Sequence, residues 1–245
     1  LGRFYDLGLG CNENHQKAFY WYQEAAKDDL DVAITALATC YEFGRGIEKD
    51  SQKALEYYLK AAHMGYVNAQ YCLGYFYEMH SEIENSLNES FYWYLKASKQ
   101  GDSQAMLAVA YYYGHGLGTD KNEEKAFEFY QKALQFGEKE AYYHLGICYL
   151  EGKGVKQDKG KAIALLVLVE DQYNLAAYLI GQYFKEMHDT HEAIRHFKIA
   201  IQKEDEEQSL YQLALYGEQG IEISEDEMMD YLLRSAKKGY SPALV

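Results

Sequence analysis

Closely spaced glycines are the first feature of this sequence that could support chemistry. The stretch YYYGHGLGTD (residues 111–120) places three glycines within five positions. Loops of this kind bind phosphate when they follow a strand and open a helix. The same GxG spacing returns at residues 41–50 and 149–158, each time after a segment with helical spacing. The recurrence therefore predicts a structural turn between two helices, and it does not support a nucleotide site.

The histidines of HEAIRH (residues 191–196) are the second chemical candidate, because the segment is close to the zinc-protease motif HExxH. His191 and His196 are five residues apart instead of four, which places them about 140° apart around a helix. Two side chains so arranged cannot bind one metal ion from a single helix face. His188 could join His191 in the loop, but a third ligand is missing. Neither a metal site nor a cofactor site is predicted.

Nucleophilic catalysis has no support in the sequence. No serine or cysteine lies in a nucleophile motif such as GxSxG. The four cysteines, Cys11, Cys40, Cys72 and Cys148, form no CxxC pair. They are interpreted as small buried apolar residues and not as disulfides or metal ligands.

Composition limits the class of partner. The 245 residues include 26 tyrosines and one proline, and the formal net charge is -14. This charge opposes nucleic acid and anionic membranes, and it leaves a protein or peptide with basic segments as the expected partner. The longest apolar run, residues 162–169, is too short to cross a bilayer. The compartment stays open, although the absence of a targeting segment and of a disulfide pattern favours the cytoplasm.

A period of 36 residues organises the chain. Alanines return at this period in three columns: Ala33, Ala69, Ala105 and Ala141; Ala18, Ala54, Ala126 and Ala162, with Ser90 in the middle place; and Ala25, Ala61, Ala97 and Ala133. Three independent columns with one period indicate that each row of 36 residues is one structural unit.

Each unit contains two segments with helical spacing. In AYYHLGICY (141–149) and AQYCLGYFY (69–77), apolar residues stand at i, i+4, i+5 and i+8, on one side of a helix. KALEYYLKAAHMG (53–65) and KAFEFYQKALQFG (125–137) are also helical in spacing and end at glycine, a common helix stop. Every unit is therefore predicted to be a helix, a loop and a second helix, in close contact through their alanines.

These rows resemble the Sel1-like repeat, a relative of the tetratricopeptide repeat, over essentially the whole chain. The shared pattern is AxxxLGxxY, then GxG with an apolar residue, then Asp, Lys-Ala, an aromatic pair and Lys-Ala-Ala, and residues 141–169 contain most of it. Residues 67–102 lack the loop glycines, and the unit at 175–205 has a loop four residues shorter, like an ordinary tetratricopeptide repeat. The resemblance implies an all-α, right-handed α/α superhelical solenoid.

The repeats divide the chain into the parts of one predicted solenoid domain. We expect a partial repeat at 1–30, repeats at about 31–66, 67–102, 103–138, 139–174, 175–205 and 206–240, and the start of another at 241–245. Leu1 and Tyr5 match Leu37 and Tyr41 one period later, so the chain is expected to begin within a first helix. The resulting interpretation is a fragment of a longer array.

A ladder of aromatic side chains is the strongest candidate for a binding site. The resemblance implies that the first helix of each unit lines the concave wall. Two residues after the first-helix alanine, and again four residues further on, aromatic residues recur: Tyr71, Tyr143, Tyr178 and Tyr211 in one column, Tyr75 and Tyr111 in the other. At about 100° per residue these columns point away from the core pattern. Rings provide a large contact area at low entropic cost, as a peptide groove requires.

Acidic residues accompany this ladder in the sequence: Glu42, Glu78, Glu140, Glu151 and Glu186. Together they predict a groove that binds a segment with basic residues. The alternative is that a tightly wound superhelix buries the same rings against neighbouring first helices. Both interpretations stay open on the sequence alone.

Three functions follow from the resemblance and the charge. The first is a non-enzymatic scaffold or adaptor that holds a protein or peptide without a cofactor. The second is an acidic immunity protein that blocks a basic effector or toxin, with tight and salt-sensitive binding. The third is a hydrolase, since some cysteine-rich relatives have been credited with such activity, but the cysteines here lack the paired pattern of those relatives. The sequence favours the first.

Overall fold

The computed structural model describes residues 1–202, 204 and 206–240, so the further repeat expected at 241–245 lies outside the described residues. Fourteen α-helices and no strand make up these described parts. In chain order they are α1 (Gly2–Leu7), α2 (His15–Ala26), α3 (Asp31–Phe43), α4 (Ser51–His63), α5 (Val67–Met79), α6 (Ser86–Lys99), α7 (Ser103–His115), α8 (Glu123–Gln135), α9 (Glu140–Glu151), α10 (Lys159–Leu166), α11 (Asn174–Glu186), α12 (Thr190–Ala200), α13 (Glu207–Glu218) and α14 (Glu225–Lys237).

The chain divides into two compact units, Leu1–Gly137 and Glu138–Val245. In the first unit α1 packs with α2, α3 with α4, α5 with α6 and α7 with α8, and each pair contacts the next one along the chain. The first helices α3 and α5 also contact each other. In the second unit the pairs are α9 with α10, α11 with α12 and α13 with α14. The predicted helix–loop–helix units are therefore confirmed within each unit.

Four of the second helices, α2, α4, α8 and α10, begin at the same side-chain cap, which is absent at the start of α6. Asn14, Asp50, Asn122 and Asp158 each accept a hydrogen bond from the backbone N–H three residues later, at 2.9 or 3.0 Å. Such caps satisfy one of the N–H groups that the first helical turn leaves unpaired. The same backbone bonds are the main cause that lowers the pKa of Asp50 and of Asp158. The Asp or Asn at this position of the repeat pattern is therefore the residue that caps the start of these second helices.

The glycine loop at residues 111–120 is a turn between two helices. Gly116 ends α7 in the left-handed conformation, with φ 70°, and its N–H donates to the carbonyl oxygen of Tyr112 at 2.8 Å. Gly118 also has a positive φ, 58°, and a Cβ at this position would lie 2.1 Å from the carbonyl oxygen of Leu87. The chain needs glycine here both for its backbone conformation and for a close approach to the preceding repeat. The prediction of a structural turn is confirmed.

Loop length varies between repeats as the spacing predicts. The loop between α9 and α10 covers residues 152–158, whereas the loop between α11 and α12 covers only residues 187–189, four residues fewer. The pair α11–α12 therefore has the shorter connection of an ordinary tetratricopeptide repeat.

The alanine columns lie in the core. Alanines of all three columns are almost fully buried, including Ala69 and Ala97 at 0 % exposure, and only Ala25 is half-buried. Ser90 replaces an alanine in one column, and its hydroxyl forms a hydrogen bond with the hydroxyl of Tyr112 at 2.8 Å. Because this buried polar group has a partner, the substitution does not leave an unsatisfied hydroxyl in the core.

In two repeats a glycine of the first helix makes room for a ring from the second helix, whereas Gly146 makes room for Leu166. A Cβ on Gly74 would lie 2.7 Å from the ring of Tyr94, 20 residues later in the same repeat. A Cβ on Gly181 would lie 2.6 Å from the ring of Phe197, only 16 residues later because the loop of that repeat is shorter. An aromatic ring of the second helix therefore fills the space where a side chain of the first helix would lie, as close packing requires.

Candidate functional site

The six tyrosines of the predicted ladder fall into two groups. In the first unit Tyr71 packs on the ring of Tyr94, with centroids 5.5 Å apart. In the second unit Tyr143 stacks on Tyr173 at 5.0 Å, and burial raises the pKa of Tyr143 and of Tyr71. These rings belong partly to the packing of the repeat.

The other two tyrosines of the column that contains Tyr71 and Tyr143 also lie close to neighbouring rings. Tyr178 lies 6.0 Å from the ring of Phe197, and burial raises its pKa. Tyr211 lies 5.3 Å from the ring of Tyr240. Packing therefore accounts for much of the column that stands two residues after the alanine. The rings that contact these tyrosines lie on second helices or in segments next to a helix end. The alternative of buried rings had instead predicted contacts between neighbouring first helices.

The second column is exposed. Tyr75 on α5 and Tyr111 on α7 are 41 % and 42 % exposed, one repeat apart in the first unit. Residues four positions further along the helices, Met79 and His115, are exposed as well, and the rings of Tyr111 and His115 lie 4.0 Å apart. Phe43, at the same repeat position on α3, is also exposed. The exposed aromatic surface is therefore centred on Tyr75 and Tyr111.

We define the first-helix face as the positions that share one side of α3, α5 and α7 at spacing i, i+4, i+7 and i+11. Its members are Val32, Ala36, Thr39 and Phe43; Asn68, Cys72, Tyr75 and Met79; and Gln104, Ala108, Tyr111 and His115. All twelve are exposed or half-buried. The sequence prediction missed Phe43, Met79 and His115, although one more step of four residues along the helix would have found them.

The first-helix face combines eight residues with largely apolar side chains and four polar ones, Thr39, Asn68, Gln104 and His115. It contains no acidic residue, no lysine and no arginine. The residues between the larger ones are small: Ala36, Cys72 and Ala108. The side chains in the middle of the face are therefore short. Burial raises the pKa of the Cys72 thiol to about 11, so the thiol stays protonated at neutral pH and is not an activated nucleophile. The face offers contact area and hydrogen-bonding hydroxyls.

Two acids of the expected rim are structural. Glu42 is only 6 % exposed, and its carboxylate accepts a hydrogen bond from the Tyr58 hydroxyl at 2.7 Å. The carboxylate of Glu78 accepts a hydrogen bond from the Tyr94 hydroxyl at 2.6 Å. The expectation that Glu42 belongs to an acidic rim is wrong, because this side chain faces the second helix of its own repeat.

The three remaining acids lie in the second unit and are exposed. Glu140 is 3.5 Å from His144 and Glu186 is 2.6 Å from the ammonium group of Lys159. Glu151 forms an ion pair with Lys153. Exposed pairs of this kind add little stability, so a basic partner could replace the lysines at small cost.

The histidines of HEAIRH contact different carboxylates. His191 is exposed and lies 3.3 Å from Glu222. His196 is buried, stacks on Phe184 and pairs with Glu170 at 2.6 Å. The two rings therefore point to different sides of α12, as their spacing predicts. Within the described residues no group of three or more His, Cys, Asp or Glu side chains could hold a metal ion.

None of the helices in the described part of the chain is both long enough and apolar enough to cross a bilayer.

Helix pairs at a 36-residue period define an α-helical repeat protein. The family model that matches is the Sel1 repeat, and it covers residues 1–30, 31–66, 67–102, 103–135, 139–167 and 169–205. The chain belongs to the Sel1 repeat family. Proteins of this family generally mediate protein–protein interactions and are typically non-catalytic.

Two solved structures support the fold. One is the crystal structure of c5321, a protective antigen of uropathogenic Escherichia coli with an SLR fold, at 25 % identity and a TM-score of 0.87. It covers 99 % of this chain, and this chain spans 53 % of its length. The other is a Sel1 repeat protein from Oxalobacter formigenes, at 28 % identity and a TM-score of 0.71, which covers 81 % of this chain and is itself covered over 84 %. A comparison with proteins of curated function found no significant match.

Proposed function

We propose that this chain is a non-catalytic interaction module that binds a peptide segment of a partner protein across the first-helix face. The observation that carries the proposal is the exposure of Tyr75 and Tyr111, one repeat apart, on a face without a charged side chain. Exposed aromatic side chains on a non-core position are typical of binding surfaces, because rings bury a large area while few rotamers are lost.

The spacing of the helices suits an extended segment. Packed helices lie about 8–10 Å apart, and each residue of an extended chain advances about 3.3 Å. A bound segment that crosses α3 and α5 therefore advances by about three residues from one helix to the next. Its side chains would contact successive rings of the first-helix face, and its backbone could pair with the tyrosine hydroxyls.

The test compares two double variants with the same substitution. Peptides selected on the immobilised chain from a random 12-residue display library are measured by fluorescence anisotropy. Tyr75→Ala with Tyr111→Ala is expected to weaken binding by at least 10-fold, since binding anchors of this type contribute about 2 kcal/mol or more. The matched control is Tyr20→Ala with Tyr92→Ala, two tyrosines of second helices that are 53 % and 47 % exposed.

Equal losses in the two double variants would contradict the proposal. A cross-linking measurement provides an independent result. A photoreactive phenylalanine at position 75 or 111 should label the peptide, whereas the same group at position 20 or 92 should not.

An acidic inhibitor of a basic effector is the second candidate function, and the net charge of -14 is the observation that favours it. The two candidates differ in their salt dependence. Steered binding by an acidic surface weakens steeply as salt rises. Binding through the uncharged first-helix face should change little between 50 and 500 mM salt, on the order of 2-fold, because few charges are involved.

A further inference from the structure

A small cavity lies at the N-terminal end of the first-helix face. It has a volume of about 310 Å³ and is located between the first turns of α3 and α5. Val32, Val67 and Tyr66 provide apolar walls, while Asp31, Thr35 and Asn68 provide polar groups. The volume is at the lower end of the range for small-ligand sites, about 300–1,000 Å³, so the cavity suits one long side chain.

The polar groups of this cavity are mainly hydrogen-bond acceptors. Asp31 Oδ1 accepts from the Val32 N–H at 2.7 Å, which leaves the second carboxylate oxygen for another donor. The Thr35 hydroxyl gives its proton to the Asp31 carbonyl oxygen at 2.9 Å and can therefore only accept from an occupant. The Tyr66 hydroxyl likewise donates to the Asp29 carbonyl oxygen at 3.2 Å. An occupant that brings several donors is favoured.

Charge points to the same kind of occupant. Asp31 is the one charged residue that lines the cavity among the described residues. The N-termini of α3 and α5 oppose a cation, but each contributes only about half an elementary charge, distributed over several N–H groups. Asp31 carries a full charge on an oxygen at the cavity wall. The carboxylate therefore dominates at hydrogen-bonding distance, in a chain whose net charge is -14.

We infer that this cavity binds the side chain of an arginine in the segment that crosses the first-helix face, which rests on the proposed function. The aliphatic part of the arginine packs between Val32 and Val67, and the guanidinium group donates to Asp31. Arginine is preferred over lysine because its planar group carries five donors and stacks on aromatic rings such as that of Tyr66.

A double-mutant cycle tests this pairing. The probes are library-selected peptides and their analogues in which the arginine is replaced by citrulline, a neutral side chain of the same shape. In the wild-type chain the citrulline analogue should bind about 10-fold more weakly, as expected for loss of a charge-assisted hydrogen bond. Asp31→Asn should weaken the arginine peptide by a similar factor, and the two changes together should cost little more than either alone.

The control for charge is Asp120→Asn, which changes an exposed loop aspartate and should leave binding within 2-fold of the wild type. Asparagine at position 31 can still accept the Val32 N–H bond, so the variant should keep the thermal midpoint of the wild-type chain. Independent, additive effects of citrulline and Asp31→Asn would overturn the inference, as would selected peptides without arginine enrichment.

The cycle also separates the inference from the proposed function. Peptides that depend on Tyr75 and Tyr111 but not on Asp31 would support the first-helix face and overturn the arginine site. Peptides that depend on Asp31 but not on the two tyrosines would do the reverse. A library that gives no specific peptide at all would overturn both.

Discussion

The phenol of Tyr94 donates a hydrogen bond to Glu78 Oε2 at 2.6 Å, and 36 residues earlier the phenol of Tyr58 donates to Glu42 Oε2 at 2.7 Å. A weaker contact of the same kind joins Tyr22 to Asp6 at 3.5 Å. Each bond ties the second helix of a repeat to the C-terminal part of its first helix. The acid–tyrosine pair is therefore a periodic structural element of the first unit.

Removal of the Tyr58 hydroxyl should destabilise the chain. Tyr58→Phe leaves the buried carboxylate of Glu42 without this donor, which should lower the free energy of unfolding by about 1–3 kcal/mol. Tyr94→Phe should cost less, since Glu78 is exposed and water can replace the lost bond. Urea unfolding followed by circular dichroism measures both. Tyr20→Phe is the control, and a larger loss for Tyr94→Phe than for Tyr58→Phe would contradict the argument.

Alkaline pH should unfold the chain. Burial, with the Asp6 carboxylate as a second cause, raises the pKa of Tyr22 to about 12, and burial also raises the pKa of Tyr58 and Tyr94. An unfolded tyrosine loses its proton near pH 10. Between about pH 10 and 12 the unfolded chain therefore releases protons that the folded chain retains, so stability falls as pH rises.

Absorbance at 295 nm and circular dichroism, recorded on the same samples, measure this effect. Exposed tyrosines should ionise first. The buried tyrosines should ionise only as the helix signal is lost. A single ionisation near pH 10 with the helix signal unchanged would show that the buried phenols are accessible.

Alanine at Gly118 should be far more damaging than alanine at Gly10. Both residues have a positive φ, 58° and 72°, but only Gly118 has a carbonyl oxygen 2.1 Å from the position of a Cβ. Gly10→Ala should cost about 1–2 kcal/mol for the left-handed backbone. Gly118→Ala should add about 1–3 kcal/mol for the steric overlap. Equal thermal midpoints for the two variants would show that the loop moves freely away from Leu87.

Alanine substitutions should separate the two tyrosine columns. Tyr75→Ala and Tyr111→Ala remove exposed rings and should change the free energy of unfolding by no more than about 0.5 kcal/mol. Tyr71→Ala removes a half-buried ring that packs on Tyr94 and should cost about 1–3 kcal/mol. Chemical denaturation of the three variants gives the comparison. A loss at Tyr75 as large as that at Tyr71 would mean that the exposed column also supports the core.

The repeat, the helix pairs and the loops were predictable because each depends on local sequence. The columns of alanines indicated which positions lie in the core, and the pairs of glycines indicated where the turns lie. The shorter loop at residues 187–189 followed from counting residues between Phe184 and Ala193. These features need no knowledge of which side chain meets which across the repeat.

The candidate site was predicted only in part, because its residues depend on contacts between helices. Helical periodicity shows which way Tyr71 points along its own helix, but it does not show that Tyr94 occupies the space above Gly74 and packs on it. Likewise, nothing local marks Glu42 as the acceptor for a tyrosine 16 residues later. Periodicity alone therefore predicted more exposed tyrosines in the ladder, and more exposed acidic residues in the rim, than the structure contains.

The fit of Tyr94 into the space above Gly74 also bears on how arrays of this type can change length. Both partners lie inside one 36-residue block, so duplication or deletion of a whole block carries the complementary pair with it. A recombination breakpoint between residues 74 and 94 would instead join the glycine of one block to the second helix of another. Joined to α10, the glycine would face Leu166 in place of a ring, whereas joined to α4 or α8 it would again meet a tyrosine, Tyr58 or Tyr130. Growth of an array by whole 36-residue blocks therefore keeps each first-helix glycine together with the second-helix side chain that packs over it.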